Sequence, residues 1–188
     1  MKNFYSKQDL WSLFLMVAFP LHLWTLLLAF RDISWVAERT NFWDAIGVVS
    51  YGMVFAFLES LVVFLVALLL GILIPSRWGR DKRLAIVSML FLVLSIWAML
   101  TQLYALQVWG VPNALLQLLA GSAHPLRFIY LIALAFIVPT VVFPVLTIYR
   151  SEKTLAKVLD MIGSVSLLTM LYLFLDFMAL IVVVVRNI

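Results

Sequence analysis

From residue 161 to residue 185 the chain reads MIGSVSLLTMLYLFLDFMALIVVVV, in which Asp176 is the single charged residue. A helix needs about 20 apolar residues to cross the hydrocarbon core of a bilayer, so this stretch reads as a transmembrane span with an ionisable group deep inside it. Four more stretches have the same character: 11 to 30, 45 to 74, 84 to 109 and 128 to 149, the second of which holds Glu59. The five use most of the 188 residues, and 66% of the chain is hydrophobic, 12% is charged and the mean hydropathy is +1.15. That composition lies well outside the range of soluble domains. The expectation is an all-α, polytopic integral membrane protein: a bundle of five transmembrane helices forming a single domain over residues 1–188, because the connecting segments are too short to fold alone.

The basic residues sort by loop. Lys2, Lys7, Arg77, Arg80, Lys82, Arg83, Arg150, Lys153 and Lys157 fall on one face of such a bundle, and Arg31, Arg39, Arg127 and Arg186 on the other. Nine against four predicts a cytoplasmic N-terminus and, with five spans, an outer C-terminus. Lys2 and Lys7 before an apolar run resemble a secretory signal, but the run has full span length and meets Arg31 and Asp32 without a small-x-small cleavage pattern. A retained first helix is expected. Small loops without glycosylation sequons favour a prokaryotic cytoplasmic membrane. The formal charge of +4 is split among span ends and forms no patch suited to nucleic acid. The absence of cysteine excludes disulfides, thiolate nucleophiles and Cys-ligated metals.

Between Pro75 and Arg83 the chain breaks, since Pro and Gly disfavour helix and the charges favour water. Arg77, Arg80, Lys82 and Arg83 set topology there, and are also placed to attract anionic lipid headgroups. On the outer face, residues 31 to 44 carry Trp35 and Trp43 among mixed charges and predict a segment lying at the interface. Pro112 to Gly121 predicts a short helix, also interfacial.

Several features could carry chemistry. In the second span, Gly52, Ala56 and Ser60, continued by Ala67 and Gly71, form a small-residue stripe that lets helix backbones approach closely. Packing within the bundle and docking of another protein, or of a second copy, are its two uses. Glu59 adjoins the stripe and is expected to face the bundle or a partner. Thr169 and Tyr172 precede Asp176 by seven and four residues, so all three share one helix face. An intramembrane carboxyl with no Lys or Arg inside a span is a functional-site hypothesis by default. Charging one at mid-membrane costs about 2.5–3.5 kcal/mol on insertion scales, so a neutral acid is one expected state. A rise of 1.5 Å per residue puts both acids about 22–24 Å from the same end of the bundle, although adjacency of their helices does not follow from the sequence.

His22 follows Pro20, whose ring frees the carbonyl of Met16, and filling that kink is its expected role. Pro139 and Pro144 likewise free the carbonyls of Ala135 and Thr140, which a hydroxyl such as that of Thr140 can compensate. His22 and His124 are too far apart in depth for a bis-His haem site. Phosphate loops, His-Glu metal motifs and nucleophile elbows do not occur in the sequence, so no metal or cofactor is expected. The contexts of the acids, Phe57-Leu-Glu-Ser60 and Phe174-Leu-Asp-Phe177, lack the Gly or Asn usual around intramembrane aspartyl chemistry, which argues against an enzyme. Two functions remain. The first is a non-catalytic subunit that docks a membrane protein through the stripe and the buried acids; the alternative is a small proton- or ion-coupled transporter using Glu59 and Asp176.

Overall fold

The computed structural model describes residues 5–105 and 112–188. Lys2 and residues 106 to 109 of the expected third span lie outside them. The order is α1 (Lys7–Arg39), α2 (Phe42–Leu73), a 3-10 turn (Ser76–Trp78), α3 (Arg80–Ala105), α4 (Asn113–Ala120), α5 (Pro125–Arg150) and α6 (Glu152–Asn187), with no strand among the described residues. Five of these helices are long and apolar enough to cross a membrane. The chain is a small, all-α integral membrane protein.

Local chemistry fixes the helix starts. The Ser6 hydroxyl accepts from the Asp9 amide at 3.1 Å while the Asp9 carboxylate accepts from the Ser6 amide at 2.7 Å, a reciprocal capping box. Asn41 and Ser151 cap α2 and α6 through the amides of Asp44 and Thr154. Gly79, at φ +81°, turns the chain into α3, a backbone conformation costly for residues with a Cβ.

Residues 31 to 44 do not form a separate interfacial segment. α1 continues to Arg39, whose guanidinium lies 4.0 Å from the centre of the Trp35 ring. No Gly or Pro interrupts the helix there, and it ends only where Asn41 starts the next one. The short helix expected after Pro112 is α4. α5 runs through Pro139 and Pro144 as one helix. The Thr140 hydroxyl turns to the carbonyls of Phe136 and Ile137, at 3.1 and 2.8 Å, and accepts from the Trp97 indole of α3 at 2.9 Å.

The core lies toward the basic end, where Leu13, Met16, Val17, Ala67, Val87 and Ile148 are buried among α1, α2, α3 and α5. The small-residue stripe belongs to it. Ala56, Ser60, Ala67 and Gly71 are buried within the chain. A methyl added at Gly52 would come 3.3 Å from the Thr25 methyl of α1, and one at Gly71 would collide with the Tyr5 ring and its hydroxyl. The stripe is therefore packed within its own chain, the first of its two expected uses, with Thr25 of α1 at Gly52 and Tyr5, ahead of α1, at Gly71.

The basic cluster is also partly used internally. Arg83 is 2% exposed, with its guanidinium toward the Tyr5 ring and the Ile74 carbonyl, so it is no headgroup contact. Lys82 pairs with Glu152 at 2.6 Å and Arg80 with Asp9 at 3.5 Å. Arg77 remains exposed. At the opposite end Arg186 donates to the Trp43 carbonyl at 2.6 Å and the Asp44 carboxylate at 2.7 Å, fastening α6 to the start of α2.

Candidate functional site: a buried histidine–aspartate pair beside an apolar groove

His22 stands fifteen residues into α1, about 22 Å along its axis from Lys7 at 1.5 Å per residue. Its side chain is fully buried, and Nε2 lies 2.8 Å from Oδ2 of Asp176 on α6. Asp176 is 7% exposed. The acid thus has an intrachain partner that is neither Lys nor Arg, and His22 is not a kink filler. Its Nδ1 bonds the carbonyl of Ala18 at 2.8 Å, whereas the carbonyl freed by Pro20 is that of Met16.

Those two bonds determine the proton count. A backbone carbonyl only accepts, so Nδ1 carries a hydrogen and donates to Ala18. Nε2 and Oδ2 are then joined by a single proton. With the proton on nitrogen the pair is imidazolium and carboxylate; with it on oxygen, imidazole and carboxylic acid. Both forms have zero net charge, which lets two titratable groups sit at depth without a net charge in low dielectric. The other carboxyl oxygen, Oδ1, is buried and has no hydrogen-bond partner among the described residues.

Of the polar face expected on α6, Tyr172 joins this site. Its ring lies nearly parallel to the His22 ring, with centroids 6.0 Å apart and planes 11° apart, and it packs in the same way on Phe19. Thr169 is buried on the same side, but its hydroxyl donates to Val165 of its own helix at 2.9 Å. It restrains α6 rather than the carboxyl.

Asp176 also lines a groove of about 880 Å³ between α1, α2 and α6. The walls are apolar and rich in aromatic rings. Phe14 meets Phe57 and Phe64 edge to face, with centroids at 6.3 and 5.6 Å, and Trp11 and Phe177 flank them. Lys7 stands at the far end, toward the basic side.

Glu59 does not share this site. It is exposed and lines a separate cleft of about 290 Å³ between α1 and α2, together with Thr25 and Asp32. Glu59 follows Phe57 by two residues, and at 100° per residue that turns it about 200° away from the groove. Among the described residues it makes no hydrogen bond or ion pair. Of the two placements expected for it, the bundle or a partner, the buried inward position is taken by its neighbour Ser60, and Glu59 stands at the mouth of this cleft.

Comparison with protein families, with curated proteins and with solved structures finds no match. Among the described residues there is no group of three or more His, Cys, Asp or Glu side chains that could hold a metal ion. What the site offers chemically is a buried imidazole hydrogen-bonded to a carboxyl group, next to an apolar space.

Proposed function

We propose that the protein is a small proton-coupled membrane transporter whose working group is the His22–Asp176 pair. The observation that carries this reading is the buried contact between His22 Nε2 and Asp176 Oδ2 at mid-helix depth, beside a groove large enough for a ligand. Intramembrane ionisable groups of this kind mark proton relays and substrate paths. The packing of the small-residue stripe within the chain and the intrachain contact of Asp176 with His22 support the carrier reading over the assembly-subunit one.

A carrier of this kind must exchange its proton with water. The test is nitrogen NMR of the protein in lipid nanodiscs, labelled at its two histidines, with His22→Asn assigning the His22 signals. The His22 resonances are expected to respond when the pH is varied, and to lose that response in Asp176→Asn. A His22 signal that does not respond would sink the proposal.

A second reading rests on Glu59. An exposed carboxyl partway along an apolar helix, with no hydrogen bond or ion pair among the described residues, is costly against lipid and suits a donor supplied by another membrane protein. Loss of a copurifying subunit on Glu59→Gln, with His22 titration intact, would favour that reading.

A further inference from the structure

Asp176 has a half that its partner does not use. Oδ2 is engaged by His22, while Oδ1 is buried and unsatisfied among the described residues, and the residue lines the aromatic groove. A buried acceptor without a donor is costly, and a ligand bearing positive charge or a charged donor would relieve it. The walls select for the same chemistry. Rings of Trp11, Phe14, Phe57, Phe64 and Phe177 surround the approach, and aromatic faces attract cations most strongly where water is excluded. A volume of about 880 Å³ lies within the range of pockets for drug-sized molecules.

We propose that the groove binds a lipophilic organic cation, whose charge takes the place of the shared proton at Asp176. This inference rests on the proton-coupled reading above and names its ligand class. Charge conservation gives the coupling. The resting pair holds one proton and is neutral. A cation seated in the groove against Asp176 stabilises the carboxylate and the proton leaves to water, so imidazole, carboxylate and cation again sum to zero. Exchange keeps the buried site neutral in both states, whereas binding without proton loss would leave a net positive charge in low dielectric.

The titratable groups facing Asp176 are few. α1 brings His22 and, at the far end of the groove, Lys7. α6 itself brings Tyr172. α2 brings none, since Glu59 is on its opposite face.

The experiment uses two probes of matched shape and opposite charge, tetraphenylphosphonium and tetraphenylborate, added to the full chain in nanodiscs of neutral lipid in weak buffer. Tetraphenylphosphonium is expected to bind with release of about one proton each, and to bind about tenfold more tightly for each unit of rising pH while the pair carries its proton. Tetraphenylborate is expected to bind no better than to empty nanodiscs. Asp176→Asn should abolish proton release. Phe57→Ala should weaken binding several-fold and leave the proton count unchanged. Equal binding of the two probes, or cation binding without proton release, would overturn the inference. Failure of the cation to bind a protein whose His22 titrates removes the ligand and leaves the proton-coupled reading standing. A His22 that never titrates removes both.

Discussion

Asp176 and Glu59 both lie within long apolar helices and have opposite surroundings. Asp176 is 7% exposed and bonded to a fully buried imidazole, whereas Glu59 lies on the surface of the chain, facing away from it. A place within an apolar helix alone therefore does not define a site. What separates them is the helix face: α2 turns Ser60 inward and Glu59 outward, whereas α6 turns Asp176 toward α1. One acid is part of the fold, and the other is an addition to it.

Removing one partner of the buried pair should have the largest effect. His22→Leu leaves the Asp176 carboxyl buried without its partner and is expected to cost about 3–5 kcal/mol of stability in denaturant unfolding in detergent micelles. Glu59→Leu should cost nothing or stabilise. Equal losses would show that both acids are structural. Enlarging the stripe comes next. Ala67→Leu, at a position fully buried in the core, should cost about 1–3 kcal/mol through overpacking, while Leu69→Ile on the exposed face should be mild. A stripe that tolerates leucine but loses a crosslinked partner would return it to an interface.

Asp176→Asn should cost less, about 1 kcal/mol. The amide can still donate to Nε2 of His22, so unfolding stability is largely kept while proton exchange at the pair is lost. A large loss of stability would mean that the carboxylate charge itself holds α1 to α6. The smallest effect is expected for Glu59→Gln, within about 0.5 kcal/mol by the same unfolding measurement. A larger change would reveal a partner for Glu59 inside the folded chain.

Much of this was legible in the sequence. Runs of apolar residues located the five long helices, and the i, i+4 relation of Tyr172 and Asp176 placed both on the face that meets His22. The pairing itself was not legible, because it joins residues 154 positions apart and helix adjacency is a tertiary fact. A signal did exist: His22 lies fifteen residues from Lys7, the same depth arithmetic that brought the two acids level. It was obscured by Pro20, which offered a local explanation for a polar side chain. The Trp-rich stretch from 31 to 44 misled for a related reason. Indole anchors signal depth in a bilayer but do not interrupt a helix, and between residues 31 and 39 no Gly or Pro does so either. Arg83 was placed among headgroup contacts by composition, whereas its position in the first turn of α3 turns it toward Tyr5.

The shared proton gives the pair an electrical property as well as a chemical one. His22 is close to the midpoint of α1, and moving a unit charge across the whole membrane is worth about 2.3 kcal/mol per 100 mV. While it holds its proton, the pair carries no net charge and feels no net force from a transmembrane voltage. A proton that leaves for one side crosses about half of the field, about 1 kcal/mol per 100 mV, which changes the proton occupancy of the pair several-fold. Under the proton-coupled reading, voltage then sets how often this site is filled without moving any helix.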